Sequence, residues 1–208
     1  MHIELSNIKP SYMSEIEIAN SDIYLQSSLI FERGKKYQIK ANSGHGKSSL
    51  LNFIYGSNIN FSGAINYNLE IRNFLEMRKD KLSYVFQDHK LFPSLTALEN
   101  VVIKNTLTGH KSINEIDNLL EEFSLSHKRD TPVKNLSLGQ RQRVAIIRSL
   151  CQPFDFLLLD EPFSHLDSAN IMVISKVIDA ELNIQGAGML MTTLEENQVF
   201  EFDETLNL

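Results

Sequence analysis

The segment Asn42-Ser43-Gly44-His45-Gly46-Lys47-Ser48-Ser49 sets two glycines, a lysine and serines in an order that can hold a chain of phosphates. Glycine at 44 and 46 lets backbone N–H groups converge on phosphate oxygens with no side chain in the way. Lys47 offers a point charge to the β and γ phosphates, and Ser48 offers a hydroxyl oxygen to Mg²⁺. A helix starting near Ser48 adds the positive end of its dipole. The segment departs from G-x-x-x-x-G-K-[ST] at its first position, where Ala41 stands. Alanine costs about 1 kcal/mol there if the backbone must turn left-handed, and little otherwise.

Two further groups of residues bear chemistry. Asp160 and Glu161 close the apolar run Phe156-Leu157-Leu158-Leu159. A buried strand emerging at its carboxyl end puts carboxylates where ligands bind; the alternative, a surface acidic turn before Pro162, is at odds with the apolar strand immediately before it. Ser137 is followed three residues later by Gln140, the spacing of a capping box. The helix behind it would carry Val144, Ile147 and Cys151 on one face, and a capped helix start is itself an anion site.

These residues need a scaffold, and the hydrophobic pattern supplies one. Ile3 with Leu5, Ile16 with Ile18, and Leu29 with Phe31 alternate as strands do, with Gly34 as a turn. Lys36–Lys40 reads as a strand entering the glycine loop, and Ser48–Tyr55 as the helix leaving it. Ser62–Tyr67 and Leu82–Phe86 read as further strands. From about 88 to 133 the pattern turns helical, with Ile113, Ile116, Leu119, Leu120 and Phe123 on one face. A strand at 156–159, a helix from Ala169 to about Leu182 and a strand at Met189–Thr192 complete the chain. Helices between buried strands imply an α/β fold with a mainly parallel core sheet. The N-terminal strands imply an antiparallel β layer beside it, and residues 88–133 a helical insert.

In their order, the glycine loop, the Leu136-Ser137-Leu138-Gly139-Gln140-Arg141-Gln142-Arg143 segment and the Leu157-Leu158-Leu159-Asp160-Glu161-Pro162 segment resemble the ATP-binding cassette (ABC) ATPases, over nearly the whole chain. The resemblance implies a P-loop NTPase of the ABC type in one domain, 1–208, with a core of about 1–87 and 134–208 and a helical subdomain of about 88–133. It implies ATP and Mg²⁺ as ligands. Ser48, Gln87 and Asp160 would stand at the metal, Glu161 would be the general base, and Gln87 would reach both metal and attacking water. Ser137, Gly139 and Gln140 would meet the ATP held by an opposite cassette, with Leu138 in place of the first glycine of LSGGQ. Tyr12 would stack on adenine, or is an ordinary strand-end tyrosine. Ser164-His165-Leu166-Asp167 matches the D-loop, with His165 an exposed loop residue. Thr193 falls where a switch histidine belongs and cannot carry its charge.

The implied function is the ATPase subunit of an ABC transporter. Two copies, or two different cassettes, would close on two MgATP and drive a separate membrane permease. A slow ATPase working a membrane partner as a mechanical switch is the alternative. The compact chain is similar to the ATPases that serve lipoprotein release, macrolide export and cell division. The apolar residues Leu91, Phe92, Leu95 and Leu98 after Gln87 fit a docking groove for a permease helix, or simple packing of the insert.

Composition narrows the rest. A net charge of −6 over 208 residues gives no general affinity for nucleic acid, and none is expected as a partner. A single cysteine, Cys151, excludes an internal disulfide and a multi-cysteine metal site. No apolar run approaches the ~20 residues of a membrane span, and the N-terminus has no secretory pattern. The expectation is a cytoplasmic protein that meets the membrane through its permease.

Overall fold

The computed structural model describes residues 1–42, 44, 46–69, 73–194 and 199–208. Its strands and helices run β1 (His2–Pro10), β2 (Ser28–Glu32), β3 (Lys36–Lys40), α1 (Lys47–Ile54), β4 (Phe61–Tyr67), α2 (Phe74–Asp80), β5 (Leu82–Val85), α3 (Ala97–Asn105), α4 (Ile113–Glu122), α5 (Leu138–Leu150), β6 (Phe156–Asp160), α6 (Ser168–Gln185), β7 (Gly188–Thr193) and β8 (Glu204–Asn207). Five strands form a parallel sheet in the order β5-β6-β7-β3-β8. Three more form an antiparallel sheet, β2-β1-β4. The α/β architecture with a parallel core, an antiparallel layer and a helical insert is therefore present.

The alternation of side chains along the central strands divides the core in two. Leu157 and Leu159 of β6, with Met189 and Met191 of β7, pack against α5, α6 and the insert residues Ile116, Leu119, Leu120 and Phe123. Phe156, Leu158 and Leu190 point the other way, onto α1 and the antiparallel layer through Leu50, Leu51, Ile3 and Phe31. One strand with period 2 thus bonds two layers, because every residue of β6 is buried. Cys151 is fully buried, and burial pushes its thiol up to about 12, so it behaves as a small apolar residue.

The expected capping box at Ser137 forms, and two more helices start the same way. Thr96, Ser112 and Ser137 all close reciprocal capping boxes with Glu99, Glu115 and Gln140. Gly186, at φ 57°, ends α6.

The expected strand at Ile16–Ile18 does not form. Residues 11–26 make a run of turns, with backbone bonds from Glu17 to Ser14, Ala19 to Ile16 and Ser21 to Ile18. Ser14 donates its N–H and hydroxyl to the Glu17 carboxylate, and Ser21 accepts from the N–H groups of Ile23 and Tyr24. Local serine and carboxylate bonds compete with ladder pairing here, and two alternating isoleucines do not outweigh them. Ile16 is 87% exposed. Two elements went unexpected: α2, capped by Asn73, and β8, which adds to β3 while burying only Leu206 among its four residues.

Candidate functional site

The glycine loop leaves the carboxyl end of β3 and enters α1 at Gly46, whose φ is 84°. A Cβ on Gly46 would crowd only the flexible Met13 methyl, at 2.7 Å, so it is the angle that requires glycine. Ala41 is not among the residues at positive φ, so the alanine carries no left-handed strain. Its carbonyl instead accepts from the Lys47 ammonium at 2.7 Å, and the Asn42 carbonyl accepts at 3.0 Å. Ser43 and His45 lie outside the described residues.

Lys47 is 4% exposed and also meets Glu161, with 3.2 Å between Nζ and Oε1. Glu161 sits one residue past the end of β6 at φ 48°, a costly angle for a residue with a side chain. Its N–H is shared between the carbonyl and the hydroxyl of Thr192, each at 3.2 Å. That anchor turns the carboxylate back toward the glycine loop. Gln87, just beyond β5, links both sides: it accepts from the Ser48 hydroxyl and donates to Glu161, each at 3.5 Å, the outer limit of a hydrogen bond.

Asp160 is 2% exposed, and burial pushes its carboxyl above the usual carboxylate range. Hydrogen bonds from Ser48 and Thr192 pull in the other direction. The Thr192 hydroxyl donates to Oδ1 at 2.8 Å, and the Tyr84 phenol reaches Oδ2 at 3.5 Å. Burial, with Asp160 next, holds that phenol far above its ordinary range, so it keeps the proton it donates toward the carboxylate. Among the described residues no group of three His, Cys, Asp or Glu is placed to hold a metal. One carboxylate, one hydroxyl and one amide oxygen are the sparse, hard donor set that suits Mg²⁺ when phosphate oxygens supply the rest.

A cleft of about 280 Å³ is lined by Tyr12, Gly44, Gly46, Lys47, Ser48, Ser49, Gln87 and Glu161, and Asp160 faces an adjoining cavity that shares Ser48 and Gln87 with it. Tyr12 presents an exposed ring at the mouth of the cleft, past the end of β1. Basic, acidic and amide groups together with backbone N–H can hold a triphosphate, orient a metal and polarise a water. Ser137, Gly139 and Gln140 do not line this cleft. They form the start of α5, where Gly139 approaches the D-loop so closely that a Cβ would sit 2.7 Å from the His165 carbonyl. His165 itself is exposed. Thr193 ends β7 beside Lys40, and its hydroxyl accepts from Gln38 at 3.1 Å. It does not line the cleft either.

The residues around Asp160 that the sequence did not flag are Thr192 and Tyr84. Thr192 sits level with Asp160 across neighbouring parallel strands, a register that only the fold reveals. Tyr84 looked like one more apolar strand residue.

A second, apolar groove of about 360 Å³ is lined by Tyr55, Tyr84, Phe86, Phe92, Leu107 and Lys104, among others. Tyr84 stacks on Phe86 with ring centres 3.9 Å apart. Phe92 is half exposed there, while Leu91 and Leu98 pack against the core. Burial, then the nearby Arg148, lowers the Lys104 ammonium to about 8.

The sequence pattern of the family described as ABC transporter matches residues 24–164. Over 184 residues the chain is 33% identical to the lipoprotein-releasing system ATP-binding protein LolD of Treponema denticola, covering 84% of this chain and 81% of that one. Its fold superposes with a TM-score of 0.76, at 27% identity, on the dimeric ATP-binding cassette MJ0796 in a post-hydrolysis state bound to ADP and Pi, over 93% of this chain and 88% of that one. A putative ABC transporter ATP-binding protein from Pyrococcus furiosus gives a TM-score of 0.74 at 20% identity, over 100% and 98% of the two chains, a likeness of fold. No described helix is long and apolar enough to cross a membrane.

Proposed function

Because the chain belongs to the ABC transporter family, as an ATP-binding, ATP-hydrolysing cassette, we propose that it powers a separate membrane permease by closing, with a second cassette, around two MgATP. The observation that carries this is the convergence of Lys47, Ser48, Gln87 and Glu161 on one cleft, with Tyr12 at its mouth. Lys47 would exchange its Glu161 contact for phosphate oxygens, and Ser48, Gln87 and Asp160 would hold Mg²⁺. When bound, that ion neutralises charge on the transferred phosphoryl group. Glu161, freed from Lys47, would take the proton of the attacking water, which Gln87 orients. Tyr12 would stack on adenine. Asn42, Ser43, Gly44, His45, Gly46 and Ser49 would complete the phosphate cradle.

Ser137, Gly139 and Gln140 lie away from the cleft of their own chain, which supports a role toward the nucleotide of a partner cassette. The capped start of α5 is suited to an anion there. The dimeric cassettes among the solved relatives support the same arrangement. Whether the partner is identical or different, residues 88–133 would act as a subdomain able to shift against the core of 1–87 and 134–208.

The permease would dock in the second groove. Its floor is aromatic, and Lys104 has no carboxylate within ion-pair distance among the described residues. A short amphipathic helix with an apolar anchor fits it. The Treponema relative's name supports a permease of the lipoprotein-releasing kind. A slow mechanical switch is the second reading, favoured by Thr193, which brings no charge to the cleft. Phe92→Asp tests the docking: ATP binding and folding stay intact, while co-purification with the permease and permease-stimulated hydrolysis fall sharply. Normal coupling in that variant, or loss of folding, would refute the docking assignment.

A further inference from the structure

The loop after Gln87 is held in a costly backbone conformation by the helix that carries the Ser137 cap. His89 and Lys90 both lie at positive φ, 63° and 47°, a region that residues with side chains avoid. Arg148 of α5 donates to both of their carbonyls, at 2.6 Å to His89 and 2.7 Å to Lys90. The buried His89 ring meets the side-chain oxygen of Gln142, also on α5, at 2.6 Å. With that oxygen facing the ring, Nε2–H is the donor. Gln142 is 1% exposed, and its amide nitrogen has no partner. A buried donor without an acceptor is a cost that a second arrangement of the same groups can recover. On the first turn of the same helix, Gly139 leaves no room for a side chain against the D-loop, since a Cβ there would lie 2.7 Å from the His165 carbonyl. Three loops therefore meet on α5: the one after Gln87, the capped start at Ser137, and the turn after Glu161.

We propose that His89, through Gln142, is a positioning residue for hydrolysis, locking the Gln87 loop to α5. Gln87, at the nucleotide of its own cleft, and Ser137 with Gly139, at the nucleotide of the partner cassette, then move as one rigid unit. The lock rests on the two-cassette reading above. It differs from a general linkage of insert to core in resting on one buried contact between two side chains. Neither His89 nor Gln142 lines the cleft, so binding of ATP to a lone cassette does not depend on them. Closure of two cassettes does, because an unlocked loop lets each Gln87 engage its nucleotide without presenting Ser137.

The test uses the full chain in a Glu161→Gln background, where ATP persists. His89→Leu, Gln142→Leu, the double variant and His89→Gln are compared by calorimetric ATP affinity at concentrations where the protein is monomeric. The same proteins are compared by MgATP-driven dimerisation in sedimentation. The expected result is unchanged ATP affinity in all. Dimerisation should weaken about tenfold in each leucine variant, and no further in the double, as for directly coupled residues. His89→Gln, which keeps a side-chain donor, should recover most of it. Dimerisation of His89→Leu at the parent's level, or losses that multiply in the double variant, would overturn the lock. So would unfolding of both leucine variants, which would make the contact simple core packing. Failure of the Glu161→Gln parent to dimerise would instead sink the two-cassette reading, and is seen before any His89 variant is made.

Discussion

The cleft and the groove are built in opposite ways. The cleft is polar and lined by residues that follow four strands: Tyr12 after β1, Gly44 to Ser49 after β3, Gln87 after β5 and Glu161 after β6. The groove is apolar and takes its lining from α1's end, β5, the Gln87 loop, α3 and α5. Chemistry on phosphate needs particular atoms at fixed spacing, so five of the cleft's eight lining residues fall within 44–49. Holding a partner helix needs only shape and apolar area, so many segments can share the task. Tyr84 stands in the groove wall, with its ring in the aromatic stack and its hydroxyl toward Asp160.

Variants that separate the two regions sharpen this contrast. The largest binding effect belongs to Lys47. Lys47→Ala removes a charge-assisted contact in a desolvated site and should weaken ATP binding by about 1.5–3 kcal/mol, roughly ten- to a hundredfold. It should leave permease co-purification in the absence of ATP unchanged. Calorimetry on the purified variant decides it, and unchanged affinity would show that the cleft holds something else. A smaller effect is expected at Thr193. Thr193→His returns a cationic donor to the end of β7 and should raise turnover several-fold, well short of the ~10²–10³ of a fully preorganised donor. No change would leave the Gln38 contact as the residue's whole role.

What the sequence disclosed follows the same division. The glycine loop, the acidic end of β6 and the capped start of α5 were legible because each pairs a local pattern with the chemistry it serves. Ala41 departed from the pattern without consequence, since its backbone angle is ordinary and its carbonyl is what Lys47 uses. The Thr192 bond to Asp160 and the His89 bond to Gln142 join residues 32 and 53 positions apart. No spacing rule reports contacts of that range. At 11–26 serine and carboxylate bonds to the backbone defeated a two-residue alternation. At β8 a single buried leucine was too faint a signal, because an edge strand is held mostly by backbone pairing.

The smallest predicted effect is on stability. Burial raises the Asp160 carboxyl, so the folded state holds this proton more tightly than the unfolded chain does. Wild-type stability therefore falls as pH rises through the interval between the unfolded and the folded value. Asp160→Asn should make the nucleotide-free protein more stable above that interval, by about 2–4 °C in Tm for each kcal/mol recovered. The advantage should vanish on acidification below it, while Mg²⁺-dependent hydrolysis is lost. Calorimetric melts across pH check the sign, and a variant less stable at neutral pH would show that the Thr192 bond outweighs burial.

The central claim is that Glu161 activates water in a cleft closed by a second cassette. Single-turnover hydrolysis by Glu161→Gln, followed together with sedimentation in MgATP, tests it most directly. The account predicts a rate lower by about 10²–10⁴-fold, with ATP retained and the protein running as a dimer. Hydrolysis at the wild-type rate, or ATP held by a protein that stays monomeric, would contradict it.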